Sequence, residues 1–337
     1  MRKRRFILVM LLVAAVLLSA CGTGVPGIVD EGASHFAQGK DEEDYGKWGL
    51  DKDDLDKLIK KYSGSYQGTS GTPMSPSQYD DIKNNSQDDP QPAVSSDIGS
   101  IEQLTELMLQ EYRKLSETVV FMPVNGFDPD IPHNLNDIAR EIKRRDPIAG
   151  TGVEAWTWWI DPATGEYTVR INYSFETDEL RRMRAETEKK CDEAAQQIYK
   201  PNLSEYELVL AVNDFLCSSV YYPSQEPYAP VTHTAYGALV DGCAVCDGYS
   251  CAAKAILDRL GVQCDFVVGV CTNGGGHAWN LVNIEGDWYQ LDITWNDCIS
   301  GYDFFLVTDD YMKGSRTWNY AVYPATPSIG YREKNGP

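Results

Sequence analysis

A cysteine, a histidine and an aspartate follow one another in the C-terminal third of the sequence, in an order that suits thiol chemistry. Cys246 directly precedes a run with helical apolar spacing, and His277 and Asp292 lie in two apolar segments further on. A thiolate at the start of a helix is stabilised by the helix dipole and by free backbone amides. We therefore predict Cys246 as the nucleophile, His277 as its base and Asp292 as the group that orients the imidazole.

The elements that must position these residues can be read from the apolar pattern. A helix after Cys246 is predicted to close at Gly261, where a left-handed residue is favoured. Three predicted strands follow, at residues 264–271, 277–284 and 288–295, with glycine-rich or Glu-Gly-Asp turns between them. Neighbouring strands lie about 4.8 Å apart, so a histidine on one can pair with an aspartate on the next. A helix packed against this antiparallel sheet predicts an α+β fold.

Three short motifs carry a family resemblance. They are Val245-Cys246-Asp247-Gly248-Tyr249-Ser250, Gly276-His277-Ala278-Trp279-Asn280 and Trp288-Tyr289-Gln290-Leu291-Asp292-Ile293-Thr294-Trp295. In order, spacing and aromatic flanks they resemble the transglutaminase-like superfamily over about residues 204–310, and we predict a transglutaminase-like domain at residues 204–325. The resemblance implies the roles given above for the three residues. We predict no cofactor and no metal. The family includes peptidases, amidases and protein cross-linkers, so the resemblance selects no single reaction.

Other interpretations of the same cysteines stay open at this point. Cys243 and Cys246 form a C-x-x-C pair, which alone suggests a redox couple or half of a zinc site. The sequence has no second C-x-x-C pair. Cys246 could also be an ordinary buried cysteine, since free cysteines are among the most buried residue types.

Residues 100–203 are predicted to form a helical and β-hairpin region before the core. Ser100 and Gln103 form a capping pair ahead of a helix. Alternating apolar residues on both sides of the turn at residues 161–165 predict the hairpin. Ser204 and Glu207 form a second capping pair, which opens the next helix and the predicted core.

The N-terminus predicts export. Residues 2–5 are basic, residues 6–18 are almost entirely apolar, and Leu18-Ser19-Ala20-Cys21 follows. This is the pattern of a secretion signal, and the run is short for the roughly 20 residues of a spanning helix. The segment Leu18-Ser19-Ala20-Cys21 resembles the lipobox of bacterial lipoproteins. This resemblance implies removal of residues 1–20 and lipidation of Cys21. An ordinary signal peptide with a chance cysteine is the alternative. Residues 21–99 are mostly polar and are predicted to be a disordered tether.

The net charge of the chain limits the classes of partner that it can bind. The chain has a formal net charge of −20, with 30 basic and 50 acidic residues. Nucleic acid is an unsuitable partner, because its affinity depends on neutralisation of phosphates by Lys and Arg. Acyl chains, rather than a basic patch, would then hold the protein at the outer face of the cell membrane.

The sequence thus predicts extracytoplasmic acyl transfer on amide bonds through a thioester on Cys246. A peptidase or amidase acting on protein or cell-wall peptide is favoured, because water needs no separate acceptor pocket. The alternatives are a transamidase that cross-links proteins and an inactive adhesion or scaffold module of the same fold.

Replacement of Cys21 by alanine tests the anchor. We expect Cys21→Ala to leave an uncleaved or released precursor without acyl groups, because the acceptor thiol is gone. Metabolic labelling with a radioactive fatty acid measures this, and unchanged labelling of the variant would contradict lipidation at Cys21.

Overall fold

The computed structural model describes residues 95–224, 229–272 and 274–336. The predicted signal peptide, the predicted lipidation site Cys21 and nearly all of the predicted tether lie outside these ranges. The described chain divides into two compact units, one formed by residues 95–142 and 153–177, the other by residues 143–152 and 178–336. None of the helices in the described ranges combines the length and the apolar character that crossing a bilayer would require.

The first unit contains a four-stranded sheet with two helices. In chain order its elements are β1 (Ser96–Ile98), α1 (Ile101–Lys114), β2 (Thr118–Pro123), α2 (Ile131–Arg145, whose last three residues count with the second unit), β3 (Val153–Ile160) and β4 (Tyr167–Tyr173). The strand order is β1-β2-β4-β3, with β1 parallel to β2 and the other pairs antiparallel.

Local signals in the sequence account for much of this unit. The Ser100 hydroxyl accepts a hydrogen bond from the amide of Gln103, as the capping pair predicts. The predicted hairpin is formed by β3 and β4. Behind the sheet, the indole of the buried Trp156 donates a 2.6 Å hydrogen bond to the hydroxyl of Tyr112. The polar tip of each aromatic ring thus finds a partner inside an apolar core.

The second unit joins a helical layer to a five-stranded antiparallel sheet. Its elements are α3 (Thr177–Ile198, with Thr177 in the first unit), α4 (Glu205–Ser219), a 3₁₀ segment (Pro230–His233), a π-helical turn (Gly237–Asp241), α5 (Cys246–Arg259), β5 (Cys264–Cys271), β6 (Gly276–Ile284), β7 (Asp287–Leu291), α6 (Ile293–Ile299), β8 (Phe305–Val307), α7 (Asp309–Lys313), β9 (Arg316–Trp318), a second 3₁₀ segment (Tyr320–Val322) and α8 (Tyr331–Asn335). The strand order is β8-β7-β6-β5-β9. The predicted α+β class, with a helix on an antiparallel sheet, is confirmed.

Helix α5 lies at the centre of this unit, and its first twelve residues are buried. Strand β6 is buried along most of its length because both of its faces are covered. Ala278 and Val282 belong to the apolar cluster that includes α5, whereas Trp279 and Leu281 belong to a second cluster. Alternation of side chains along a strand produces this division. It explains why β6 appears in the sequence as a nearly continuous apolar run.

Helix ends in this unit follow the sequence signals. Ser204 and Glu207 form the complete capping box that the sequence predicts at the start of α4. Helix α5 ends at Arg259, and Gly261 adopts a left-handed φ of 79° as predicted. One boundary differs. The strand predicted at residues 288–295 ends at Leu291, because the next residue, Asp292, caps a short helix.

Gly248 allows a close approach of two backbones at the start of α5. A Cβ atom at this position would clash with the carbonyl oxygen of Thr232 and lie 2.8 Å from the Cβ of Ala244. The neighbouring amide of Val245 donates to the same Thr232 carbonyl at 3.0 Å. The 3₁₀ segment is therefore pressed against the first turn of α5, and a glycine is required there.

Gly248→Ala should destabilise the protein even though alanine is the better helix former. We expect the free energy of unfolding to fall by about 1–3 kcal/mol, the usual cost of forcing an extra methyl group into a packed site. Denaturant titration measures this. Gly150→Ala is the matched control, because a Cβ there would meet no atom within 4 Å, and its change should stay within about 0.5 kcal/mol. Equal effects of the two substitutions would refute the close-packing argument.

Candidate active site

Cys246 is the first residue of α5 and is almost fully buried, at 1% exposure. The preceding residue, Val245, is in an extended conformation and provides no side-chain cap. The amides at the start of a helix have no acceptors within the helix, and they carry the positive end of its dipole. The sulfur thus lies where backbone N–H groups can stabilise a negative charge.

His277 and Asp292 form a buried pair. The Nε2 atom of His277 lies 2.7 Å from Oδ2 of Asp292, and the two side chains are 7% and 0% exposed. His277 is the second residue of β6, and Asp292 directly follows the neighbouring strand β7. With Nε2 bound to the carboxylate, Nδ1 is the ring nitrogen that remains for Cys246. The structure thereby brings together all three predicted site residues.

The pKa of His277 reflects this position. Burial opposes the charged imidazolium, but the charge and hydrogen bond of Asp292, together with the hydrogen bond and charge of Cys246, outweigh it. The result is a pKa raised to about 9. His277 therefore keeps its proton at neutral pH, which suits a thiolate–imidazolium pair with Cys246.

Asp292 is held by three different donors. Its Oδ1 accepts a 3.1 Å hydrogen bond from the amide of Trp295, which makes it the N-cap of α6. Its Oδ2 accepts from His277 and from Nη1 of Arg316. Burial alone would raise the pKa of this carboxyl, but the charges of His277 and Arg316 and their hydrogen bonds lower it to about 2. Asp292 is therefore ionised throughout the physiological range.

Arg316 was missed by sequence reasoning. It lies in the three-residue strand β9, and its side chain is fully buried against Asp292. Its guanidinium lies 4.1 Å from the ring centroid of Trp295 and also contacts the rings of Trp279 and Phe304. No motif surrounds Arg316 in the sequence, and a single arginine near aromatic residues is too common a pattern to identify it.

Three tryptophans of the sequence motifs, Trp279, Trp288 and Trp295, pack against other residues of the core. The indole of Trp279 donates to Oε1 of Gln290 at 2.6 Å, and its ring stacks on His277 with a centroid distance of 5.8 Å. Trp288 is half-buried against the apolar cluster that contains Trp279 and Leu281. Trp295 is half-buried and lies 5.9 Å from the ring of His277. The rings of Trp279 and Trp295 thus pack around the histidine.

The hydroxyl of Tyr236 is engaged by two side chains of α3. It lies 3.3 Å from Oε2 of Glu186 and 3.4 Å from the guanidinium of Arg182, both on α3. The phenol therefore already has two hydrogen-bond partners on α3.

Cys243, the other cysteine of the C-x-x-C pair, lies outside the helix in a different environment. It precedes α5 in an isolated bridge with Tyr221. Burial and the neighbouring Asp241 raise the pKa of its thiol to about 12, so this sulfur is protonated at neutral pH. Within the described residues no disulfide is formed, and no cluster of three or more His, Cys, Asp and Glu side chains is placed to hold a metal.

Residues 192–293 match the family model described as the Transglutaminase-like superfamily. The chain therefore contains a transglutaminase-like domain, and the matched range includes Cys246, His277 and Asp292, whereas Arg316 lies beyond it. No curated protein matches the sequence significantly.

Among solved structures, the chain is similar to a proposed cysteine protease from Cytophaga hutchinsonii, with 17% identity, a TM-score of 0.28 and coverage of 38% of this chain and 52% of the other. The chain thus spans about half the length of that protein. It is similar to a TGase, with 15% identity, a TM-score of 0.30 and coverage of 73% of this chain and 78% of the other. It is also similar to menin, in a structure that reveals the binding site for the Mixed Lineage Leukemia (MLL) protein, with 16% identity, a TM-score of 0.28 and coverage of 59% and 36%.

Selective alkylation distinguishes Cys246 from Cys243. We expect iodoacetamide to label Cys246 selectively at pH 6, and its rate to change little up to pH 8, because His277 keeps its proton up to a pKa of about 9. His277→Ala should suppress this labelling, since the cationic partner of the thiolate is removed. Peptide mapping by mass spectrometry measures both effects. Modification of Cys243 before Cys246 would exclude Cys246 as the activated thiol.

Proposed function

We propose that this protein catalyses thiol-dependent acyl transfer on amide bonds and acts as a peptidase or amidase. The observation that carries the proposal is the position of His277, which lies between the Cys246 thiol and the buried carboxylate of Asp292. Such an arrangement supplies a nucleophile, a proton carrier and a group that orients it. The match of residues 192–293 to the transglutaminase-like superfamily supports the same chemistry.

The first half of the reaction acylates the enzyme. The Cys246 thiolate attacks the carbonyl carbon of the amide, and a C–S bond forms as the carbonyl oxygen takes the negative charge. Backbone amides at the start of α5 stabilise that oxyanion. The C–N bond then breaks, and the imidazolium of His277 gives its proton to the departing amine. A thioester on Cys246 and a neutral His277 remain.

The second half releases the acyl group. Neutral His277 takes a proton from water as the water oxygen attacks the thioester carbonyl. The C–S bond breaks, the product acid leaves, and the thiolate–imidazolium pair is restored. Asp292 holds the ring through Nε2, so that Nδ1 exchanges the proton in both halves.

Water is the acceptor that we favour, because hydrolysis requires no second pocket for an amine. A transamidase would use the same thioester with a primary amine in place of water. The two reactions share every step up to acylation, and they differ only in which nucleophile reaches the thioester first.

The proposed substrates are extracytoplasmic proteins or cell-wall peptides. Support for this location comes from the sequence alone, namely the basic and apolar residues 2–18 and Cys21 in its lipobox-like context. In this proposal the protein is anchored to the outer face of the cell membrane by lipid on Cys21.

A scaffold without turnover is the competing function. It would keep the fold but would have no use for a charged pair in the core. Taking charges out of water costs several kcal/mol per ion unless partners compensate. The presence of Asp292, His277 and Arg316 in one buried cluster therefore favours a catalytic role over a scaffold role.

Product analysis by mass spectrometry tests the proposal. We expect the purified protein to cleave amide bonds in peptide libraries or cell-wall fragments and to incorporate one ¹⁸O atom from labelled water. Cys246→Ser should abolish turnover, and Asp292→Asn should reduce it by up to roughly 10⁴-fold, the loss known for a serine-protease triad. Cys243→Ser is the matched control and should retain turnover.

Incorporation of an added amine instead of ¹⁸O would identify the transamidase. Absence of any product, together with an unreactive Cys246, would establish the scaffold in its place.

A further inference from the structure

Three buried ionisable side chains behind the nucleophile have no role in the proposed reaction. Asp247 directly follows Cys246, and its two oxygens have different partners. Lys143 Nζ lies 3.1 Å from Oδ2, and His233 Nδ1 lies 2.9 Å from Oδ1. The side chain of Lys143 is 9% exposed, that of His233 is 2% exposed and that of Asp247 is 4% exposed. A buried network of this kind is conspicuous because each member is costly to bury alone.

The network holds the first turn of α5 from two sides. Lys143 comes from the end of α2, in the part of that helix that counts with the second unit. His233 ends the 3₁₀ segment whose Thr232 carbonyl accepts the amide of Val245. Any shift of this turn would move the Cys246 sulfur relative to His277.

Asp247 poses an electrostatic problem for the nucleophile. A carboxylate one residue from Cys246 disfavours a second negative charge on the sulfur. Burial acts to raise the pKa of Asp247, but the charges and hydrogen bonds of His233 and Lys143 overcome it and lower that pKa. The carboxylate is therefore ionised, and its charge must be offset locally if Cys246 is to be a thiolate.

Lys143 supplies this offset. Burial acts to lower its pKa, but the charges of Asp247, Cys251 and Cys246 and the hydrogen bond to Asp247 raise it overall. The ammonium is thus charged at neutral pH, and it interacts favourably with a Cys246 thiolate as well as with Asp247. Its Nζ atom also lies 5.2 Å from the ring centroid of Phe266, which favours a cation.

We propose that Lys143 is a positioning residue for Cys246, which fixes the first turn of α5 through Asp247 and cancels the charge of that carboxylate beside the sulfur. The inference rests on the proposed function, because it takes Cys246 as the nucleophile. It adds a second cation, besides the histidine of the reaction, that interacts with Cys246.

The sign of the effect follows from the charged and titratable groups around Cys246 in the described part of the chain. They are His277 on β6 with Asp292 and Arg316 behind it, Cys271 on β5, Asp247 and Cys251 on α5 itself, Lys143 on α2, and His233 behind Asp247. Removal of Lys143 alone leaves the Asp247 charge with less compensation. The thiolate then becomes less favourable, and the pH at which it forms rises.

The test is the rate of alkylation of Cys246 by iodoacetamide between pH 4 and pH 9, followed by peptide mapping. For Lys143→Met we expect the acidic limb of the profile to move upward by about one pKa unit. This corresponds to a roughly tenfold lower rate at pH values below the midpoint. Lys143→Arg, which keeps the positive charge, should remain close to the wild-type profile.

Two further variants separate charge from packing. Lys143→Met combined with Asp247→Asn removes both charges and should return the profile towards wild type, whereas a packing defect would persist. Lys254→Met is the matched control. This substitution removes a different buried lysine, which lies on α5 and contacts Asp258 at 2.9 Å and the Cys264 carbonyl at 2.8 Å. We expect the pH profile of Cys246 alkylation to be unchanged in this variant. Circular dichroism of every variant confirms that the fold is retained.

The outcomes are distinct. A reactive wild-type Cys246 whose profile is unchanged in Lys143→Met overturns this inference and leaves the proposed function intact. Failure of Asp247→Asn to restore the profile in the double variant also overturns it. An ordinary, unactivated thiol in the wild-type protein overturns both the proposed function and the inference.

Discussion

The ionised carboxylate of Asp292 is the constraint on which the arrangement of the site depends. A fully buried charge is tolerated only if hydrogen bonds and opposite charges replace the water it has lost. Asp292 obtains them from the ring of His277, the guanidinium of Arg316 and the amide of Trp295. These donors come from β6, β9 and the first turn of α6. Together with β7, which Asp292 directly follows, four elements must therefore meet at one carboxylate. Loss of any donor would leave charge exposed to an apolar interior.

The aromatic packing follows from the same requirement. Arg316 can lie beside Asp292 only if its flat guanidinium is covered, and the rings of Trp295, Phe304 and Trp279 provide that cover. The ring of Trp279 in turn lies across Gly269, where a Cβ atom would be 2.6 Å from the indole. Pairing of β5 with β9 places Gly269 and Arg316 in adjacent strands. The glycine thus makes room for the ring, and the ring covers the arginine that neutralises Asp292.

The sequence predicted those features that are local. Capping signals at Ser100 and Ser204, the left-handed Gly261 and the apolar runs of β5 and β6 are each contained in a few consecutive residues. Cys246, His277 and Asp292 could be selected because each stands in a contiguous motif. The position of Asp292 as an N-cap was not predicted, because an apolar run can continue from a strand into a helix without a change in pattern. The two short strands β8 and β9 were missed for a related reason, since three residues carry no periodicity.

Long-range ion pairs leave no comparable signal. Arg316 lies 24 residues from Asp292, and Lys143 lies 104 residues from Asp247. In the sequence both cations look like ordinary solvated charges, and only the folded chain shows which carboxylate each one neutralises. The chain as a whole has a net charge of −20, but the charges near the sulfur are paired locally. Around the sulfur, each buried carboxylate has its own cation, Arg316 for Asp292 and Lys143 for Asp247. Because Arg316 offsets part of the Asp292 charge, the His277 imidazolium remains available as the partner of the proposed Cys246 thiolate.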